Sequence, residues 1–535
     1  MGRMKSSGLL LSAAVALVAA AIASAAPGDL DPTFSDDGKV YLNGYFATDL
    51  AVQADGSTVV VGDAFIARVT SSGKLDNGFG KKGYIPKPFN RTSSATPNAV
   101  AIQPDGKIVV AGAVDRPTSP FESDVALARY LPDGSPDPSF DGDGVATLST
   151  FGADRDEAAT DVAIQPDGKI AVAGTAGGSG IIARFNPDGT PDTAFSGDGF
   201  LTSGFGFPGV SLAAIGLGPS ASLYAAGVAF KGTDDSDMVI VRVDATGASD
   251  PGFDTDGIAS VDFGDKDGAR ALAVQADGNV VAAGSTKSGA AFARLSPAGA
   301  PDPAFGGDGL VTSTALGSAR ALGLGEGGTI YAIGGGIDTI RLLANGELDT
   351  SFSGDGVTSV SLGGAFAVDG EALAVAADGR VMIAGSALLS KDDSVIGVSR
   401  LKVAPGPPDA DADKVRDPKD DCPLQGGPKK LDGCPLVKRK LTLAESHGFF
   451  HGQIRVSSPG TDLVSVAYRR CLFEGKVTVY ESRHGADKKL GSSGAGSAWT
   501  VKEKVGNGDY YARLKPQVYQ HTSLCGGAKS NTLRG

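Results

Sequence analysis

The feature that most constrains this chain is a short phrase, Asp-x-x-Phe-x-x-x-Gly, written seven times: LDPTFSDDG, LDNGFGKKG, PDPSFDGDG, PDTAFSGDG, SDPGFDTDG, PDPAFGGDG and LDTSFSGDG. Its phenylalanines are Phe34, Phe79, Phe140, Phe195, Phe253, Phe305 and Phe352, spaced 45, 61, 55, 58, 52 and 47 residues apart. A fixed phrase at variable spacing describes one structural unit with loops of different length, the mark of a repeat architecture.

Each unit reads as four short strands. In the third, VATLST (Val145–Thr150), DVAIQ (Asp161–Gln165), KIAVAG (Lys169–Gly174) and IIARF (Ile181–Phe185) are rich in Val and Ile and are parted by turn residues. Between the second and third lies Asp167-Gly168, and the same pair recurs at Asp55-Gly56, Asp105-Gly106, Asp277-Gly278 and Asp378-Gly379. Asp-Gly between apolar runs predicts a hairpin with a type I′ turn. GPSAS (Gly218–Ser222) and GEGG (Gly325–Gly328) occupy this place in the other two units and remain turn-like. Seven four-strand units without helical periodicity predict a seven-bladed β-propeller over 26–403, in preference to a β-solenoid or a string of separate β-domains.

Two charged positions recur with the phrase. The fourth strand of every unit carries arginine (Arg68, Arg129, Arg184, Arg242, Arg294, Arg341, Arg400), and every phrase opens on Asp31, Asp76, Asp137, Asp192, Asp250, Asp302 or Asp349. A ring of ligand-binding arginines is one reading. A structural Arg–Asp pair in each blade is the other, and is favoured because a fixing pair needs a copy per blade while a ligand does not. Asp31 has no repeat arginine before it and Arg400 no phrase after it. A closed ring resolves both, so Gly28–Gly38 is expected to dock on the seventh blade with Asp31 paired to Arg400.

GDLDPTF, QPDGKIVVAG, LARYLPDGSPDPSFDGDG and IARFNPDGTPDTAFSGDG resemble the delta-60 repeats of exported bacterial proteins, over about Gly28–Val403. The resemblance implies a propeller-like β fold and an extracellular setting, and it implies no particular reaction.

Composition narrows the chemistry. From Pro27 to Val403 there are 25 basic and 47 acidic residues, so nucleic acid is not an expected partner. The same span has no histidine, cysteine or tryptophan, since His447, His451, His484, His521 and Trp499 all lie beyond it. A histidine base, a thiol nucleophile and a histidine metal site are thereby excluded from the propeller. Carboxylate-only chemistry remains open, although most of the aspartates stand in turn phrases where they cap backbone.

The chain begins as an export signal, 1–25. Arg3 and Lys5 precede an apolar core at Leu9–Ala23, and Ala23-Ser24-Ala25 fits a cleavage site. A membrane anchor is the alternative; the stretch is short for one, and no later run approaches the roughly 20 apolar residues of a spanning helix.

The region 404–436 differs in kind. APGPP (Ala404–Pro408) is a stiff linker. Side-chain oxygens then fall at relative positions 1, 3, 5, 9 and 12 (Asp409, Asp411, Asp413, Asp417, Asp420), with the Val415 carbonyl at position 7. That is the ligand spacing of a Ca²⁺ loop, as against a merely solvated acidic linker. Asp409–Asp420, Cys422-Pro423 and Gly433-Cys434-Pro435 resemble a thrombospondin type 3 repeat, which implies calcium binding. Lys414 stands where that family has glycine, and a lysine there must adopt an unfavourable positive φ.

All four cysteines fall in the last quarter, an even count that suggests two disulfides in an exported chain. Cys422 and Cys434 enclose a short loop and are expected to pair, for about 3 kcal/mol on the loop-entropy model. The segment 437–535 carries 7 acidic residues, against 16 basic ones counted from Leu436. It reads as about seven strands, KLTLAE, GQIRVSS, VSVAYRRC, KVTVYES, WTVKEK, DYYARLKP and NTLRG, with HGADKKLGSSGAGS as a turn region. This predicts a small immunoglobulin-like β-sandwich bridged by Cys471 and Cys525. KVTVYESRHGADKKLGS and GDYYARLKPQ are similar to modules appended to exported bacterial proteins.

Together these features point to a secreted or cell-surface, non-enzymatic binding protein. Its expected partner is an extracellular protein or glycan; the basic residues of its C-terminal part are read first as solvating its strands, with attachment to an anionic envelope polymer as the alternative. A polysaccharide hydrolase or lyase using propeller carboxylates is the alternative, and a purely structural surface protein the third.

Overall fold

The computed structural model describes residues 27–402 except 45, 64, 87, 91–94, 117–118, 151–154, 233–234, 265, 363–366 and 391–392, and beyond them the backbone of strands between 436 and 534. Two compact units divide after Val403. Among the described residues no helix is long and apolar enough to cross a membrane.

The first unit is a seven-bladed β-propeller. Each blade is a four-stranded antiparallel meander. The third, for example, runs Glu157–Ile164, Ile170–Ala176, Ser179–Phe185 and Phe200–Ser203 from the channel outward. The blades are offset from the sequence units. Val145–Leu148, read above as the opening strand of unit three, pairs with Ser119–Tyr130 and so completes the second blade. Period-2 text shows that a segment is a strand but not whether it pairs forward or backward.

The offset is what closes the ring. The seventh blade supplies three strands, Ala367–Val375, Val381–Ser390 and Asp393–Leu401. Its fourth is Lys39–Asn43, from the start of the chain, antiparallel to Asp393–Leu401. Gly28 N–H donates to Lys402 O at 2.8 Å and Lys402 N–H to Asp29 O at 2.7 Å. Arg400 Nε meets Asp31 Oδ2 at 2.8 Å, as the repeat pattern requires.

All seven Arg–Asp pairs form, with Nε to Oδ2 distances of 2.6–2.8 Å. The other oxygen of each Asp caps the turn by accepting the N–H two residues on, as Asp137 Oδ1 does from Ser139 at 3.0 Å. The guanidinium lies over the phrase's own phenylalanine, 4.7 Å from the ring centre in Arg129–Phe140 and 4.6–5.4 Å in the other six. It also reaches the next blade: Arg184 Nη1 donates to Ala245 O at 2.7 Å and Arg400 Nη1 to Ser71 O at 2.6 Å. A backbone N–H beside it repeats the latch, with Ser196 to Thr246 O at 2.7 Å and, across the closure, Ser353 to Pro27 O at 2.6 Å. Each phrase is thus a joint between blades, and the structural-pair reading accounts for the arginines.

The hairpin turns differ from expectation. At Gln165–Lys169 the Gly168 N–H donates to Gln165 O at 2.9 Å, and Gly168 has φ 86° while Asp167 is not left-handed. This is a three-residue loop ending in a left-handed glycine, and the same loop forms at Gln53–Ser57, where Ala54 takes the place of Pro166. A turn with two left-handed central residues occurs where Asp-Gly is missing. Ser220 (φ 55°) and Ala221 (φ 62°) are held by Ser222 N–H donating to Pro219 O at 3.0 Å. Left-handed alanine is disfavoured by about 1 kcal/mol, so Ala221→Gly should stabilise the propeller by up to that amount. Chemical denaturation measures it; a loss of stability would show that the turn is not left-handed in solution.

The glycine that ends the repeated KIVVAG or KIAVAG phrase has a packing cause. The inner strand bulges between Pro97 and Ala99 and between Ala159 and Asp161. There a carbonyl presses on the second strand, and a Cβ on Gly112 would lie 2.0 Å from Thr96 O, and on Gly174 1.9 Å from Ala158 O. No other residue fits.

Among the described residues the second unit has two sheets. One runs Ala444–Ser446, Phe449–Ser457, Leu436–Leu441, Ser523–Cys525 and Gln517–Tyr519, with Ala498–Val501 also on Phe449–Ser457. The other runs Lys488–Gly494, Lys476–Ser482, Asp509–Leu514 and Ala528–Lys529, with Leu533–Arg534 also on Asp509–Leu514. Lys488–Gly494, read above as part of a turn, is a strand paired with Lys476–Ser482. Small residues are weak strand formers locally, and pairing with a Val- and Tyr-bearing neighbour overrides that preference. The segment VSVAYRRC lies outside the described residues.

Candidate functional site

The bulges build the central channel. Register slips between Ala47 and Asp49, Pro97 and Ala99, Ala159 and Asp161, Leu212 and Ala214, Ala269 and Ala271, and Gly370 and Ala372. In the sixth blade Arg320 N–H bonds to Ile333 O at 2.8 Å while Ala321 also faces Ile333. One residue per blade is therefore pushed out of the ladder: Thr48, Asn98, Thr160, Ala213, Arg270, Arg320 and Glu371. All seven line one cavity of about 190 Å³. An extra unpaired residue re-aimed by a bulge is a common way to present a side chain.

The two sides of this ring differ. On blades one to three the displaced side chains tie each blade to the next. Thr48 Oγ1 donates to Pro97 O at 3.1 Å, Asn98 Nδ2 to Ala159 O at 2.7 Å, and Thr160 Oγ1 to Leu212 O at 2.8 Å. Two half-buried carboxylates add to them. Asp49 accepts the N–H of Leu50 and of Val100, both at 2.8 Å, and Asp161 those of Val162 and Ile215, both at 2.7 Å. Burial pushes Asp49 up to about 7, helped by the charge of Asp161 and opposed by its two N–H donors. Burial likewise lifts Asp161 to about 6.

Blades five to seven carry charge instead. Arg320 Nη1 donates to Glu371 Oε1 at 2.5 Å, and Arg320 Nη2 is 3.4 Å from Asp369 Oδ1. Burial raises the Glu371 carboxyl, against the hydrogen bond and charge of Arg320 and the charge of Arg270. Arg270 itself is exposed and has no ion pair or hydrogen bond among the described residues. It is a free guanidinium in the channel wall, able to take a carboxylate or phosphate.

Sequence reasoning missed this ring. Its trace is a polar or charged residue at the displaced position of six inner strands, such as Arg270 in ARALAV and Arg320 in ARALGL, the fourth having Ala213. The predicted calcium ligands Asp409, Asp411, Asp413, Val415, Asp417 and Asp420 lie outside the described residues, as do Cys422, Cys434, Cys471 and the export signal at 1–25. Cys525 ends the strand Ser523–Cys525.

The family model described as a domain of unknown function (DUF5122) beta-propeller matches residues 53–79, 103–140, 165–195 and 275–305. Each matched stretch runs from a hairpin glutamine to the phrase phenylalanine, and both units without Asp-Gly are unmatched. No curated protein matches the chain. Among solved structures the chain is similar to YCF48 bound to D1 peptide, at 11% identity over 70% of this chain and 97% of that one, with a TM-score of 0.39. It is also similar to the extracellular domain of a hybrid two-component system from B. thetaiotaomicron, at 8% identity over 92% of this chain and 56% of that one, TM-score 0.37. A gluconolactonase from Xanthomonas campestris matches at 14% identity over 58% and 92%, TM-score 0.32. At such identities none of these says what this chain binds.

Proposed function

We propose that this chain is an exported, non-enzymatic binding protein whose propeller channel receives a single anionic group at the end of an extracellular glycan or protein. The observation that carries the reading is Arg270, unpartnered in the channel wall beside the Arg320–Glu371 pair. A cavity of about 190 Å³ admits a terminal group and not a whole ligand. The propeller's surplus of acidic residues disfavours polyanions, so one carboxylate-bearing terminus suits it better than a densely charged polymer. In this reading Asp409–Asp420 holds calcium and stiffens the joint, and the basic C-terminal unit attaches to an anionic envelope polymer.

Binding of glycans and peptides with a terminal carboxylate, against their amidated or reduced counterparts, tests this. Arg270→Ala is expected to lower affinity for the carboxylate forms by at least tenfold and leave the melting temperature unchanged. Equal binding of charged and neutral forms would overturn it. The hydrolase alternative draws support from the raised Asp49 and Asp161 carboxylates. Against it, both oxygens of each already accept backbone N–H groups. Turnover of cell-wall glycans lost in Asp49→Asn or Asp161→Asn would carry that alternative.

A further inference from the structure

A second acidic cluster sits at the seam between the fourth and fifth blades, away from the channel lining. Asp237 lies near the start of the strand Ser236–Val243, Asp262 directly follows the strand Ile258–Val261, and Asp267 directly precedes the strand Gly268–Val274. Three chain segments thus deliver carboxylate oxygens within 4.8 Å of one another. Like charges this close are unfavourable unless something neutralises them. Asp237 is 2% exposed and Asp267 4%, whereas Asp262 faces solvent.

The partners present fall short. Asp237 Oδ2 accepts from Ser260 Oγ at 2.7 Å and meets Lys231 Nζ at 2.5 Å. Asp237 Oδ1 is buried and accepts no hydrogen bond among the described residues. A buried carboxylate oxygen without a donor is strongly disfavoured. Asp267 accepts one backbone N–H on each oxygen, from Met238 at 2.7 Å and Phe263 at 3.0 Å, and Asp262 Oδ1 accepts one from Gly264 at 2.6 Å. These bonds fix the carboxylates in place, and each Asp267 oxygen, accepting one N–H, keeps a further lone pair for a ligand. Burial first, and after it the charges of Asp237 and Asp262, raise Asp267 to about 6 against its two N–H donors.

We propose that Asp237, Asp262 and Asp267 bind a hard divalent cation of the calcium class, which takes Asp237 Oδ1 as its buried ligand. Calcium accepts six to eight oxygens in irregular geometry, and the exposed Asp262 side leaves room for water to complete them. Magnesium, which needs near-ideal octahedral geometry and dehydrates reluctantly, is expected to bind less well.

Calorimetry with calcium chloride tests the proposal on the full chain carrying Asp411→Ala and Asp413→Ala, so that the linker loop does not contribute. One calcium site should remain in that variant, with calcium raising its melting temperature. Adding Asp262→Asn, at an exposed position that does not threaten folding, should weaken binding at least tenfold. Adding Asp237→Asn should abolish both the binding heat and the thermal shift. Absence of calcium binding in the linker variant, or unchanged binding after Asp262→Asn, would overturn it.

Discussion

Arg400→Ala is expected to lower the unfolding free energy by about 3–5 kcal/mol, the usual loss when one partner of a buried ion pair is removed. Asp31, 8% exposed, would be left facing Arg400's empty place at the one joint where the two ends of the propeller meet, 369 residues apart in sequence. The same substitution would also release Ser71 O, Thr33 Oγ1 and the face of Phe34. Arg68→Ala is the control. That pair is more exposed, at 15% and 24%, and joins neighbours already linked by the chain, so its loss should be clearly smaller. Denaturant unfolding of both variants measures the difference. Equal losses would mean that closure adds nothing to the pair, and the account of the seventh blade would fail.

The second large effect is on pH. For Asp49 and Asp161 the folded pKa is raised, to about 7 and about 6, above an unfolded value of 3.8. The folded state then holds more protons than the unfolded one between those values, so stability falls as pH rises through that window. The paired repeat aspartates act in the opposite sense. Burial works against the ionised form of Asp31, Asp137, Asp192 and Asp349, but their side-chain hydrogen bonds and the arginine beside each outweigh it and hold them below 3.8. Their stabilisation is present above 3.8 and is lost as pH falls through the lowered values. The propeller should therefore be most stable near pH 4 and lose on the order of 7 kcal/mol toward pH 8, about 4 of it from Asp49 and about 3 from Asp161. Unfolding free energies across pH 3 to 9 check this. Asp49→Ala should flatten the alkaline limb and leave the acid limb in place, whereas a curve that rises toward pH 8 would sink the assignment.

Much of this was legible in the sequence. The phrase phenylalanines are all buried, at 0–1% exposure, and the seven-fold Arg–Asp alternation held both the blade count and the closure through Asp31 and Arg400. These features survive in text because every blade needs them once, so the repeat itself reports them. The offset between unit and blade could not be read, since Val145–Leu148 has the same pattern whichever neighbour it pairs with. The turn type was misread because the strands pair at Gln165 and Lys169, one residue wider than Asp-Gly alone implies, and that register is set between strands.

The candidate sites escaped for a related reason. Arg270, Arg320 and Glu371 face the channel only because a bulge at each inner strand re-aims one residue, and a bulge is a property of hydrogen-bond register between two strands. Asp237, Asp262 and Asp267 sit on separate segments and converge only when the fourth blade packs on the fifth. Sequence alone determined the repeated part of this protein, its blades and the joints between them, because those interactions are local or recur at a fixed offset. The tertiary structure decided where the repeats are broken, and the functional candidates lie there, because departures from symmetry acquire a place only once the ring has closed.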